Sequence, residues 1–246
     1  MDSSESMPHP PPRISIVFPY YDNPEMLRFQ LGVIAQYAPE VQRSCEIVVV
    51  DDCSSTFPAQ PIVQEFDLPN LRLFRVVVDR PWNQDAARNI GAYESRGDYL
   101  LLTDIDHVIP VETLSELATV DNPHTVYSLA RKAHFSAKVI PSHVNSYFMA
   151  RSLYWSIGGY DEEFWGTYGS DSLFRKRINK VTPIVELSTV RLELVTRGSI
   201  SDAKNISLSR QPSPWRKLRS LMLRGMKALG LRKSPVTLVN AYERQF

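Results

Sequence analysis

A chain of 246 residues fits one domain, or one domain with an appendage. Its composition, 43% hydrophobic and 22% charged, is ordinary for a soluble globular protein, and no apolar run approaches the ~20 residues of a membrane span. Nine of the 28 basic residues and none of the 27 acidic ones fall between Ala203 and Tyr242, so the net charge of +1 conceals an acidic body and a basic tail.

The polar, proline-rich residues 1–12 read as a disordered leader without a signal-peptide core. A β-rich run at 14–18 is broken by Pro19, and 24–38 carries apolar residues at helical spacing (Met26, Leu27, Leu31, Ile34). Cys45 precedes a second apolar run at 46–50, which ends in Asp51-Asp52; Cys53 follows at once. With only these two cysteines there is no disulfide framework or cysteine zinc site, which points to a reducing cytoplasm. A short helix is expected over 61–66, a strand over 71–78, a helix over 84–95 and a fourth strand over 99–103. Strands alternating with helices, each strand too apolar for one exposed face, predict an α/β fold: a mainly parallel sheet with helices on both faces.

The second half is less regular. Strands are expected at 125–131, 146–150, 183–187 and 191–195, helices at 151–157 and 170–179, and a turn at Gly158-Gly159-Tyr160-Asp161. The domain so defined runs over 13–200, and 201–246 is the tail. Within the tail, Trp215, Leu218, Met222, Met226 and Leu229 share one face of a helix over 214–230. That helix suits either an anionic membrane surface or packing against the acidic body. Asn205-Ile206-Ser207 fits a glycosylation sequon, which carries no meaning in a cytoplasmic chain.

In parallel sheets of this kind the ligand crevice lies at the carboxyl ends of the strands. The polar residues gather there: Tyr21-Asp22 after the first strand, Asp51-Asp52 after the second, and Asp104-Ile105-Asp106 after the fourth. Strand alternation would send both carboxylates of Asp104 and Asp106 to one side. Two carboxylates that close repel unless a cation or a proton lies between them, and a divalent metal that also carries a diphosphate resolves the repulsion. The competing reading is a solvated turn, in which Asp is common.

Five blocks in order give these residues a wider context: Ile14 to Asp22 (ISIVFPYYD), Ile47 to Ser55 (IVVVDDCSS), Asn83 to Gly91 with Arg88-Asn89-Ile90-Gly91, Leu101 to Asp106 (LLTDID), and Gly158 to Asp171 (GGYDEEFWGTYGSD). Over roughly residues 13–196 the sequence resembles the family 2 glycosyltransferases, with the nucleotide-sugar-binding GT-A fold. The fifth block is similar to the acceptor-side motif of β-1,4-galactosyltransferases and chondroitin-type polymerases. The resemblance implies transfer of a hexosyl or N-acetylhexosaminyl group from a nucleoside-diphosphate sugar, UDP foremost, to a saccharide or lipid-linked saccharide. It also implies a Mn²⁺ or Mg²⁺ cofactor and inversion at the sugar. It maps Pro19, Tyr21, Asp52, Arg88 and Asp104 to the nucleotide, Asp106 to the metal and Asp171 to the general base. His107 is carried as a second metal candidate, although strand alternation would turn it away from Asp106. His124, His134 and His143 are the other imidazoles: either one of them serves as the later His ligand the family often has, or the metal has only Asp106 plus phosphates and waters. Ser170 stands where the family usually has Glu, and Thr167 where it often has Trp, which leaves Trp165 or Tyr168 to stack on the acceptor. Two further readings stay open: an acceptor that is a nucleic-acid base or a protein, and a catalytically silent nucleotide-sugar-binding module.

Overall fold

The computed structural model describes residues 13–136, 138–167, 169–195, 200, 213–233 and 235–246. The leader 1–12, Tyr168 and the sequon at Asn205 therefore lie outside the described residues. Strands β1 (Ile14–Tyr20), β2 (Cys45–Asp51), β3 (Leu71–Val76) and β4 (Tyr99–Leu102) form a parallel block in the order β3-β2-β1-β4. All seven residues of β2 are buried, as a strand covered on both faces requires. The first strand runs through Pro19 instead of stopping before it. Val17 turns its carbonyl toward the β4 side, where it accepts from Thr103, and Pro19 faces the same way two residues on. By then β4 has ended, so the missing N–H of Pro19 costs the ladder nothing.

Helix α1 (Pro24–Ala35) starts on an Asn23 cap with Pro24 in its first turn, and α2 (Pro39–Ser44) leads into β2. Helix α3 (Ala59–Val63) begins two residues before the expected start, because Asp51 accepts from the Ala59 amide. Helix α4 (Gln84–Glu94) links β3 to β4, on the far side of β1 and β2. Right-handed crossovers then put α1 and α3 on one face and α4 on the other. The connections change direction between β1 and β4, and this switch point is where such a sheet opens a crevice.

Beyond β4 the sheet is mixed, with antiparallel and parallel pairs, so the parallel arrangement expected from the sequence holds in the β3-β2-β1-β4 block and in part beyond it. After β5 (His107–Val108) and α5 (Val111–Thr119) come β6 (Val126–Ala133), the short β7 (Val139–Ile140) and β8 (Tyr147–Ala150). Strand β8 lies antiparallel on β4, and β6 antiparallel on β8. The inner strand β8 is buried throughout, so its apolar run carries no information about direction. Helices α6 (Arg151–Ile157) and α7 (Ser170–Val181) precede β9 (Ile184–Leu194). The two strands expected at 183–187 and 191–195 are this single strand, with a register shift opposite Leu129 and Ala130. Helix α8 (Pro214–Ala228) and strand β10 (Tyr242–Arg244) close the chain. β10 pairs antiparallel with β3, so the last residues of the tail are built into the sheet. Among the described residues no helix is long and apolar enough to cross a membrane.

Helix α4 lies so close to the sheet that a Cβ on Gly91 would sit 2.3 Å from Cγ1 of Val17 and 3.3 Å from Cγ2 of Val50. Gly91→Ala gains about 1 kcal/mol of helix propensity but overpacks a buried strand by about 1–3 kcal/mol. Urea unfolding should therefore show a lower midpoint, equivalent to up to about 2 kcal/mol net. A midpoint equal to or above wild type would contradict this packing.

Candidate active site

The carboxyl end of β1 is tied to the loop after β2. The Asp22 carboxylate accepts from the amides of Thr56 and Phe57, and Tyr20 donates its hydroxyl to the Phe57 carbonyl. Asp51 is wholly committed to this scaffold, accepting from the amides of Ser54 and Ala59 and from Arg75. The neighbouring Asp52 is buried and accepts from the Asn83 amide at 3.2 Å. Tyr21 and Pro19 are half-buried at the same strand end. These three candidates for the nucleotide therefore border one crevice.

The second edge of the crevice is the segment after β4. It is a turn, not a strand: the His107 amide donates to the Asp104 carbonyl. Val195 donates to the Asp106 carbonyl and Gln30 to that of His107, which anchors the turn from both sides. Strand alternation therefore does not apply, and His107 comes back to Asp106 with Nδ1 3.0 Å from Oδ1. One ligand atom from each of Asp104, Asp106 and His107 lies within 4.8 Å of the others. His143 joins them, with Nδ1 3.4 Å from Oδ2 of Asp104 and its ring 5.2 Å from that of His107. Among the described residues, Oδ1 of Asp106 and Nδ1 of both His107 and His143 are buried without a hydrogen-bond partner. Orphaned oxygen and imidazole donors converging on one point are what a divalent cation needs, so the residues fit one. Burial holds the His143 imidazole below its ordinary pKa, favouring the neutral, ligating form.

His124 and His134 are elsewhere. His124 is exposed on a turn, whereas His134 lies 2.7 Å from Glu193 and edge-on to Phe29. Arg131, which no sequence signal marked, places a guanidinium nitrogen 3.1 Å from Nε2 of His107.

Arg88 does not reach into the open crevice. Its side chain is 0% exposed, and it holds Asp104 at 2.5 Å with Asp85 at 3.9 Å. Burial works against its charge, but Asp104, Tyr160, Asp171 and Asp85 outweigh it and raise the pKa further. Burial would likewise raise the pKa of Asp104, yet Arg88, His143 and His107 hold it below the ordinary carboxylate value. Asp85 has less compensation, and burial pushes its carboxyl up to about 7. The adjacent Asn89 uses its whole amide: it donates to the Tyr160 carbonyl and Glu162, and accepts from the Tyr154 hydroxyl and the Tyr160 amide. Asn89 thus fixes the glycine-rich turn, where Gly159 has φ +61° and a Cβ would press on Asn89 at 2.8 Å.

That turn leads through a single turn of 3-10 helix (Glu162–Phe164) to α7. Asp171 sits in the first turn of α7, where the helix dipole favours its charge; its Oδ1 is buried with no hydrogen-bond partner among the described residues. Ser170 is hydrogen-bonded to Asp85, and Thr167 is buried and donates to the Phe164 carbonyl. Trp165 stacks on Arg219, whose guanidinium lies 3.9 Å above the ring and donates to the Trp165 carbonyl. This ring thus seats α8. Glu162, which the sequence reading passed over, is fully buried. It accepts from Leu238, Val239 and Asn240 as well as Asn89, binding the 238–240 segment to α4 and the glycine-rich turn.

Known proteins place this arrangement. A mannosyltransferase from Pyrobaculum calidifontis, solved with GDP-Man and Mn²⁺, superposes with a TM-score of 0.57 at 19% identity, covering 91% of this chain and 66% of that one. S. aureus TarS, solved with UDP-GlcNAc, gives 0.60 at 20% identity, over 75% and 59% of the two chains. These likenesses establish the GT-A fold. In sequence, the undecaprenyl-phosphate 4-deoxy-4-formamido-L-arabinose transferase of Photorhabdus laumondii is 26% identical over 105 residues, 43% of this chain. The chain spans about a third of the length of that relative, 32%. The model of the family described as glycosyl transferase family 2 matches residues 15–180, well over half of the sequence, and the chain belongs to that family.

Proposed function

We propose that this chain is a metal-dependent, inverting glycosyltransferase that uses a UDP-sugar and a saccharide acceptor carried on a lipid. The observation that carries the reading is the convergence of Asp104, Asp106 and His107 at the sheet's switch point, with Asp171 electrostatically coupled to it through Arg88. Support for the donor comes from TarS with UDP-GlcNAc and from the mannosyltransferase with GDP-Man and Mn²⁺. Support for a lipid-linked acceptor comes from the undecaprenyl-phosphate transferase.

In this reading Asp52 and Tyr21 take the nucleotide base, and Asp104, Asp106, His107 and His143 hold Mn²⁺ or Mg²⁺. When bound, the cation would neutralise charge on the departing nucleoside diphosphate. Arg88 acts by positioning Asp104. Asp171 accepts the proton of the acceptor hydroxyl as its oxygen bonds to the anomeric carbon. The bond from that carbon to the diphosphate oxygen breaks on the opposite face, its electron pair leaves with the diphosphate, and the configuration inverts. Helix α8 sits against the acceptor motif at Trp165, and an anionic membrane surface on the cytoplasmic side is the partner it fits.

Asp171→Asn keeps the shape but cannot take the proton. Its kcat should fall about 10²–10⁴-fold with donor affinity nearly unchanged. Wild-type transfer by this variant would remove Asp171 from the mechanism. Asp106→Asn should lose the activity gained on adding Mn²⁺, and chelator should bring the native protein to the same low rate. Full turnover in chelator would overturn the metal assignment. NMR of the product should show the anomer opposite to the donor's, and a retained anomer would exclude single displacement.

A further inference from the structure

Helix α8 is amphipathic, but it is mounted with its apolar side outward. Its inward side is cationic: Arg219 lies on Trp165, and Arg216 packs where a Cβ on Gly166 would meet it at 2.8 Å. Lys227 pairs with Asp161 at 2.6 Å and Glu163 at 2.9 Å. Only Ser220 and Leu223 of the helix are buried. The outward side carries Trp215 at 69% exposure, Leu218 at 49%, Leu221 at 68%, Met222 at 56% and Leu229 at 75%. A helix packed for stability in water would be turned the other way.

Beside this stripe, α7 and α8 line a half-open cavity of about 680 Å³. Lys176, Arg177 and Lys180 line it from α7, Arg224 and Lys227 from α8, with Phe164 between them; no carboxylate lines it. Arg177 is committed to the Gly159 carbonyl and Lys227 to its two acids. Lys176, Lys180 and Arg224 are exposed and have no ion-pair partner among the described residues. Three unneutralised cations around one hollow repel each other and stabilise an anion with several oxygens placed among them. The hollow has the volume of a small-molecule site. Arg224 at its rim lies three residues, one turn, from Leu221 on the apolar stripe. The ligand that satisfies both features is amphipathic, with its anionic group in the cavity and its apolar chains along α8.

We propose that the α7–α8 cavity binds the phosphate of an anionic phospholipid headgroup, with the outward stripe of α8 lying in the interfacial layer of the bilayer. The inference deepens the membrane part of the proposed function and names its binding site. It draws one tail cation, Arg224, together with Lys176 and Lys180 of α7, while Arg216, Arg219 and Lys227 fix the helix to the body. Catalysis of donor hydrolysis does not enter it, because none of Lys176, Lys180 and Arg224 belongs to the donor site.

The test is co-sedimentation of the intact chain with vesicles of phosphatidylcholine alone and with about one-third phosphatidylglycerol. Binding should require the anionic lipid and weaken as salt rises. The triple variant Lys176→Ala, Lys180→Ala, Arg224→Ala should lose on the order of 100-fold in partitioning, from about 1 kcal/mol for each of the three charges. A charge-matched control, Arg43→Ala, Arg96→Ala, Arg244→Ala, removes exposed cations elsewhere and should lose less than about 3-fold. Equal losses in the two triples would overturn the cavity assignment. If Leu218→Ser with Leu221→Ser abolishes vesicle binding and the cavity triple does not, the membrane reading stands and the cavity assignment falls. If the intact chain ignores anionic vesicles but binds inorganic phosphate in a way the cavity triple abolishes, the lipid source is wrong. Donor hydrolysis by the cavity triple should equal wild type in every case, which separates this inference from the glycosyltransferase reading.

Discussion

A guanidinium shut away from water holds this site together. Arg88 has no exposed surface, so its charge must be answered by protein groups, and Asp104 on one side and Asp85 on the other answer it. Removing one partner from such a pair leaves an uncompensated buried charge, typically worth about 3–5 kcal/mol of stability. The arrangement therefore fixes Asp104 in place with a force that a surface ion pair lacks. One residue along, Asn89 fixes the glycine-rich turn through four hydrogen bonds. Two residues further, Gly91 allows α4 to lie against β1. A single stretch of α4 thus positions the Asp104 carboxylate, the glycine-rich turn and the sheet relative to one another.

Much of this was legible in the chain. The parallel block was readable because its strands are apolar on both faces and alternate with helices, and the acidic residues at their ends marked the crevice edge. The errors have local causes. Pro19 was taken to stop β1, but it lies where the neighbouring strand has already ended. His107 was turned away from the metal corner on the assumption of a strand, whereas a hydrogen-bonded turn folds it back. The antiparallel pairing of β8 with β4 and β6 has no signature in the sequence, because burial of β8 on both faces erases the period-2 pattern that would signal it. His143 could only be one imidazole among three, since its approach to Asp104 depends on how β6, β7 and β8 are placed. Glu162 and β10 depend on contacts across more than 70 residues, which no local pattern encodes.

The tail shows the same limit more sharply. Its composition allowed two roles, membrane contact and packing on the body, and they looked like alternatives. In the structure the cations Arg216, Arg219 and Lys227 pack on the body, while the apolar residues of α8 face out. A helical wheel gives the two stripes but not which one faces inward. That choice is set by Trp165, Asp161 and Glu163, which lie between the glycine-rich turn and α7, so α8 and that segment are one mechanical unit.

The central claim is that the corner formed by Asp104, Asp106 and His107 binds a divalent cation together with a nucleoside diphosphate. Calorimetric titration of UDP into the intact chain, with Mn²⁺ and then with chelator, tests it without requiring the acceptor. The account predicts binding at least about 10-fold tighter with Mn²⁺, or roughly 1.4 kcal/mol, and loss of that gain in Asp106→Asn. Equal UDP affinity in Mn²⁺ and in chelator would contradict it.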